Sequence, residues 1–506
     1  AQVVSTDSEG EPNLLDANQV ELRYASVPDR KGSINSSSVA KTDFWQHAQG
    51  LFGMDLQPGE GLTGLYMPAD NPKSAQSLSY NTEQGWFTAK GIPITPIDDA
   101  GQVNTYPMLR INAYDKHSGA LLGASDVVVP VSSEVSCKSC HASGEMAANG
   151  AAITWATDDD LEVQTKKNIL KLHDEQLGTD LQNKTPVLCA SCHYSAALDL
   201  TGGGAQGMQK FRPTFSQVMH KNHGELRDAA GNPIMPTGND VPVEQSCYQC
   251  HPGQKTQCQR GAMKTAGLEC TACHGGLLAV GGKFPLLQGG SLDGTNDGKT
   301  RRPWVDLPRC QSCHTGDAVD HLTGEGLAFY QDGIRLKQTY KTGDESASPL
   351  LANNKRFAEN DKTLFRDSKG HNGIACEGCH GSPHAIWPNA DVNANDNLTA
   401  LQLQGHIGTI IECDTCHAPG SLEMTLDGPH GMHNVNDSRW TDEEHEDFYK
   451  RDPNSCKACH GKQLEGTPLS KMAATRTLKV EDRTVTLNKG QQVSCDLCHN
   501  KPRVSF

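Results

Sequence analysis

Nine copies of one short pattern, Cys-x-x-Cys-His, run through most of this 506-residue chain. They use 18 of its 19 cysteines and nine of its 21 histidines, and every copy ends in His. The copies are Cys137-Cys140-His141, Cys189-Cys192-His193, Cys247-Cys250-His251, Cys270-Cys273-His274, Cys310-Cys313-His314, Cys376-Cys379-His380, Cys413-Cys416-His417, Cys456-Cys459-His460 and Cys495-Cys498-His499. Whatever chemistry these side chains perform must shape the fold around all nine.

The pattern is typical of covalent attachment of haem c. Two thiols three residues apart sit on one helical turn, so both can add to the vinyl groups of one porphyrin, and the next residue projects toward the iron. A lone copy could equally be half of a zinc site or a redox dithiol. Zinc would not require a histidine after every cysteine pair, and neither would a disulfide framework. The repetition therefore predicts nine covalent haems c.

The composition agrees with a chain whose buried apolar core is supplied largely by cofactors. Only 36% of the residues are hydrophobic and 5% aromatic, which is low for burying large cores. Nine flat apolar porphyrins would supply the missing core, about one per 41 residues from residue 137 onward. We therefore predict that residues 134–506 form a multihaem cytochrome c region, a thin wrapping of loops and short helices with little regular sheet. Helices are predicted over 159–176 and 441–450, and loops over 281–300 and 389–397.

Residues 1–133 contain no cysteine and are predicted to form a separate small β-rich domain, either a sandwich or an open sheet. Residues 106–115 alternate in strand fashion, 116–119 make a turn, and 120–131 return as a second strand, which predicts a hairpin. Residues 86–95 are expected to be extended. This domain could serve docking or assembly, or it could cap the first haems.

Each haem iron can take a second axial ligand, and 12 histidines lie outside the motifs. His47 and His117, in the β-rich part, and His321, in a polar loop, are set aside as surface residues. Nine candidates remain, matching nine haems: His173, His220, His223, His371, His384, His406, His430, His433 and His445. Met is the alternative ligand, but the histidine surplus favours bis-His coordination, which gives low potentials.

Two further features limit the possible functions. Cys258 is the single cysteine outside the motifs, and we interpret it as a buried thiol without catalytic chemistry. The formal charge is −15, and each ferric haem with ionised propionates would add about −1, giving about −24. Such a charge argues against nucleic acid as a partner. It suits basic redox proteins, cationic metals or positively charged mineral surfaces.

The chain resembles the large multihaem c-type cytochromes of dissimilatory metal-reducing bacteria. The nine motifs carry the resemblance, together with segments around 64–69, 91–96, 370–371, 381–384, 405–406 and 428–433 that look like a secreted subgroup. The resemblance implies extracellular or periplasmic electron transfer through bis-His haems, with metal oxides or other cytochromes as acceptors. It also implies that the chain could polymerise into a filament, sometimes with a histidine donated by the next subunit.

Two functional hypotheses are consistent with these residues. The first is an electron carrier or conduit, soluble or filamentous, with no substrate pocket. The second is a multihaem reductase of nitrite, hydroxylamine or a sulfur oxyanion, which needs one haem with an open face. The nine intact motif histidines favour the carrier.

The sequence also suggests a location. No apolar run is long enough to span a membrane, and we interpret Ala1 as the start of a secreted chain whose signal peptide has been removed. The ninth motif ends at His499, near Phe506, so we expect the ninth haem to be exposed or covered by another subunit.

Overall fold

A computed structural model of the chain describes residues 1–57, 75–134, 137–199, 202–237, 241–253, 256–282, 364–480 and 482–499. It also describes a few short pieces between them, among them Cys310 and His314. The predicted loop over 281–300 lies almost entirely outside these residues.

The strands are short, apart from three of eight residues in the N-terminal part. They are β1 Val4–Thr6, β2 Pro12–Leu14, β3 Val20–Val27, β4 Glu60–Gly61, β5 Gly64–Pro68, β6 Gln76–Ser77, β7 Ser79–Asn81, β8 Trp86–Thr88, β9 Met108–Asp115, β10 Leu121–Val128, β11 Ala328–Phe329, β12 Arg335–Leu336, β13 Lys369–Gly370, β14 Ile374–Ala375, β15 Arg476–Val480 and β16 Arg483–Leu487.

The helices are also short, apart from one of 17 residues. They are α1 Phe44–Phe52, α2 Lys138–His141, α3 Leu161–Leu177, α4 Phe215–Glu225, α5 Ala262–Thr265, α6 Cys270–His274, α7 Leu277–Val280, α8 Cys376–His380, α9 Leu398–Gln404, α10 His445–Arg451 and α11 Pro453–His460.

The N-terminal part is built on an open four-stranded antiparallel sheet in the order β10-β9-β3-β6. The predicted hairpin is confirmed: β9 and β10 pair directly, from Met108 opposite Val128 to Tyr114 opposite Leu121. The core of this part consists of Val20, Leu22, Phe87 and Ala113.

The extended segment predicted over 86–95 is a strand only at β8. Pro93 lies inside the predicted segment and Pro96 directly after it. Because proline has no amide hydrogen to donate to a ladder, the strand ends before both residues.

This sheet packs directly on the later half of the chain. The Arg110 guanidinium donates to both carboxylate oxygens of buried Asp126, at 2.6 and 2.9 Å. Gln402 on α9 donates to the same carboxylate at 3.0 Å and accepts the Asp126 amide at 2.9 Å. The Arg260 guanidinium lies 3.3 Å from the centre of the Tyr106 ring. Residues 1–133 and the region after them therefore pack against each other through buried polar contacts.

The longest helix matches its prediction and shows why it forms there. The Asp160 carboxylate caps the start of α3 by accepting the amides of Glu162 and Val163. Gly178 ends it with φ +64°, a conformation that glycine adopts without strain. The helix predicted over 441–450 begins later, at His445. Glu446 and Asp447 lie in its first turn, where carboxylates are favourable because the start of a helix is partly positive.

No helix among the described ranges has the length and apolar character needed to cross a lipid bilayer.

Candidate cofactor-binding site

The Cys-x-x-Cys-His segments share one local conformation, a single helical turn. In six of them the amide of the final histidine donates to the carbonyl of the first cysteine, four residues earlier. These bonds measure 2.8–3.0 Å at His141, His193, His251, His314, His417 and His499. The fourth, sixth and eighth motifs lie in α6, α8 and α11. The turn points both thiols and the imidazole of one motif toward the same region.

Six of the motif histidines face a histidine from outside the motifs. The ring centres in these pairs are 5.7–6.3 Å apart. The pairs are His141 with His223, His251 with His220, His274 with His384, His380 with His430, His417 with His371, and His499 with His445. All six outer members are among the nine candidates that the sequence analysis selected.

Two more motifs have a candidate close by. Burial, and then the nearby His193, lowers the pKa of His173. Burial lowers the pKa of His433 to about 4, with His460 as the next contribution. At the fifth motif His314 lies close to His430, while Cys313 and His321 fall outside the described residues. Eight of the nine candidates thus lie beside a motif histidine.

Many of these rings are fixed through Nδ1, which leaves Nε2 facing the partner. The Nδ1 of His220 is 2.8 Å from the Ser216 carbonyl oxygen, and the Nδ1 of His223 is 2.5 Å from that of Met219. The same contact holds His193 to Pro213, His445 to Asp442 and His460 to Val493, at 2.5–2.9 Å. Bonding of Nδ1–H to a backbone carbonyl selects the tautomer whose Nε2 can bind a metal.

One continuous cavity of about 3130 Å³, with mostly apolar walls, runs through this part of the molecule. Its lining includes thiols and histidines from the third to the ninth motif, together with Cys137 of the first. It also includes seven of the outer candidates: His220, His223, His371, His384, His430, His433 and His445. The cavity therefore connects the third to ninth motifs and reaches the first through Cys137.

The arrangement fits a metal held between two imidazoles. A metal–imidazole bond is about 2 Å long, and the ring centre lies roughly 1 Å beyond the nitrogen, so two rings on opposite sides of one metal have centres about 6 Å apart. The observed separations of 5.7–6.3 Å match this value. At the third, fourth, sixth, seventh and ninth motifs both thiols line the same apolar cavity as the histidine pair, which suits a porphyrin.

His406 is placed differently from the other candidates. Its Nε2 is 2.6 Å from the Glu412 carboxylate, and its Nδ1 is 3.2 Å from the Ile407 carbonyl oxygen. Glu412 also accepts from Arg476 and, at 2.7 Å, from Asn436. Burial opposes ionisation of Glu412, but these hydrogen bonds outweigh it and lower the pKa of this carboxyl. Both ring nitrogens of His406 have protein partners, and its ring is not in the six pairs; the axial role expected from the sequence stays a prediction.

Two of the three histidines that the sequence analysis set aside are described, and neither is in a histidine pair; the third, His321, lies outside the described residues. His47 and His117 are exposed, the first 3.7 Å from Asp43 and the second on the hairpin turn. Cys258 is half-buried beside Thr256 and lines the cavity. His499 of the ninth motif is exposed, and residues 500–506 lie outside the described residues.

Trp440 is a site residue that the sequence did not reveal. Its ring lies 4.6 Å from that of His433 and 4.9 Å from that of Phe448. Trp440 comes seven residues after His433, and no local pattern ties the two together. In the folded chain the indole fixes the plane of the His433 imidazole.

In the described part of the chain, no three His, Cys, Asp or Glu side chains converge on a site that could hold a bare metal ion. A comparison with family models, curated proteins and solved structures found no match.

Proposed function

We propose that this chain carries nine covalent haems c, at least eight of them with two histidine ligands, and that it transfers single electrons along them. The observation that supports this most is the pairing: motif histidines face outer histidines at the spacing of two ligands on one metal, along one apolar cavity. When bound, haem supplies the one-electron chemistry, alternating between ferric and ferrous iron.

The chain's own residues hold the haems in place and set their properties. The cysteines fix each porphyrin by two thioethers, and Nδ1 contacts such as that of His220 with Ser216 orient the rings. Burial lowers the pKa of His380 to about 4, as it does for His433. Both rings are therefore neutral at pH 7, which is the form that binds a metal. Bis-His ligation in an apolar cavity keeps the potentials low.

The acidic charge favours basic or cationic redox partners, such as other cytochromes or metal oxide surfaces, outside the cytoplasm. Assembly of the chain into a polymer belongs to the same proposal, because an exposed His499 would give a neighbouring molecule access to the ninth site. A reductase would instead need a haem with an open face, and the pairing of six motif histidines with outer histidines argues against such a face at those sites.

The test compares two candidate ligands that the sequence alone could not separate. His384→Ala removes the ring 6.3 Å from His274 and is expected to turn one haem from low-spin to high-spin. His406→Ala removes a ring bound to Glu412 and should leave every haem low-spin. Low-temperature EPR of the oxidised proteins, with haem content checked by mass, measures both changes.

Low-spin signals for all haems in the His384→Ala protein would contradict the proposed ligation. A large high-spin signal in the parent, together with binding of nitrite or cyanide, would favour the reductase over the carrier.

A further inference from the structure

The contacts between sites reveal their order in space, which the order of the motifs along the chain does not give. We number each site by its motif. Asn168 on α3 donates to the carbonyl of His141 at 2.9 Å, and the same helix carries His173 of site 2 five residues later. Helix α4 carries His220 of site 3 and His223 of site 1, one turn apart. Site 1 therefore lies between sites 2 and 3.

Sites 3 and 4 touch through their cysteines. The thiols of Cys247 and Cys270 lie close together, and both line the cavity. These two cysteines would therefore hold neighbouring haems. Site 4 in turn takes His384 from the segment after the sixth motif. That segment is held to the fourth site by the amide of Ala262, which donates to Ile386 at 2.8 Å.

Site 6 has four neighbouring sites. Site 5 is one of them, because His314 of the fifth motif lies close to His430, the outer ligand of site 6. Sites 6 and 4 are neighbours because His380 of the sixth motif lies only four residues before His384, the outer histidine of site 4. Toward site 7, the amide of Ile410 donates to the Cys379 carbonyl at 3.0 Å. Toward site 8, its own outer ligand His430 lies three residues before His433.

Site 8 leads on to site 9. The Nδ1 of His460 contacts the carbonyl of Val493, two residues before Cys495 of the ninth motif, at 2.9 Å. The amide of Cys495 donates to Leu464, four residues after His460, at 3.1 Å. The outer ligands His433 and His445 also lie close together.

We propose that site 6 is the branch point of the electron path. Sites 2, 1, 3 and 4 lead to it in that order. From it one branch reaches site 7, a second runs through site 8 to site 9, and a third reaches site 5. Each transfer moves one electron from a ferrous to a ferric haem, and no bond is made or broken. This inference rests on the proposed function, since it assumes a haem at each site.

The test uses two matched substitutions of an outer ligand. His430→Met acts at site 6 and His371→Met at site 7, a branch end. Both residues have positive φ, +58° and +23°, so methionine meets similar backbone strain at each. Methionine ligation raises the potential of an iron. A raised potential at site 6 makes electron transfer from site 6 to each haem beyond it unfavourable in free energy. A raised potential at site 7 affects that haem alone.

The protein is attached to a gold electrode through one introduced thiol, Lys210→Cys. Cys258→Ser removes the cysteine outside the motifs, so that attachment occurs at one position. Lys210 is exposed beside site 2, where neighbouring Gln209 donates to Ala190 inside the second motif. At fast scan rates the His430→Met protein should lose the response of sites 5, 7, 8 and 9, about four ninths of the charge passed, because the raised potential at site 6 delays them. The His371→Met protein should keep its charge and show one shifted couple.

Equal charge loss in both variants, or no loss in the His430→Met protein at any scan rate, would overturn the branch point. In each case mass and EPR must first show nine low-spin haems in the parent. A parent without them defeats the proposed function itself, whereas a parent with them and no difference between the variants defeats the branch point alone.

Discussion

Protein made without haem attachment is expected to be unfolded over most of residues 137–499. The cavity of about 3130 Å³ is the reason. A folded interior tolerates few voids larger than a water molecule, so without porphyrins this space would expose its apolar walls to water. Much of the buried hydrophobic core that remains belongs to the N-terminal sheet, including Val20, Leu22, Tyr24 and Met108. Without porphyrins the motif turns have little to pack on.

Hydrogen exchange followed by mass spectrometry can measure this loss segment by segment. Amides of α4, α8 and α11 should exchange rapidly in the haem-free protein, while β3, β9 and β10 keep protection because they have a core of their own. Equal protection of these helices with and without haem would contradict the account, because the polypeptide would then fold without a cofactor.

Phe87→Ala is expected to destabilise the N-terminal sheet by about 3–5 kcal/mol, the usual cost of removing a buried phenylalanine. Phe87 is 3% exposed, packs in the core with Val20 and Leu22, and its ring lies 4.9 Å from that of Tyr80. Urea unfolding of the haem-loaded protein, followed by tryptophan fluorescence, measures the change. Val103→Ala is the control, since Val103 is 73% exposed and its truncation should have almost no effect.

The haem spectrum of the Phe87→Ala protein carries separate information. The sheet contacts the later region through Asp126 and Gln402, which do not line the cavity. We therefore expect the haems to stay low-spin in the folded variant. Loss of the low-spin signal under conditions in which the sheet is still folded would mean that the sheet also supports axial ligation.

Local sequence patterns predicted the parts of this fold that depend on near neighbours. The β9–β10 hairpin follows from strand alternation and a short turn, and α3 from a capping aspartate and a terminal glycine. The turn at each motif follows from its own five residues. Nine histidines were chosen as outer ligands by residue type and count, and the structure brings eight of them to a motif histidine.

The pairing itself could not be predicted, because it depends on contacts between distant parts of the chain. His274 and His384 are 110 residues apart in the chain. His371 faces the histidine of the seventh motif although it lies next to the sixth motif in the sequence. His406 follows a glycine, as His371 does, yet only folding brings Glu412 and Arg476 to it. The helix start at His445 and the stacking of Trp440 on His433 likewise depend on tertiary packing.

Intact mass spectrometry of the purified native protein tests the central claim most directly. The account predicts a mass equal to that of the polypeptide plus nine covalently bound haems, with all 18 motif cysteines consumed and Cys258 alone reacting with a thiol reagent after denaturation. A mass equal to that of the bare polypeptide, with 19 reactive thiols, would contradict it.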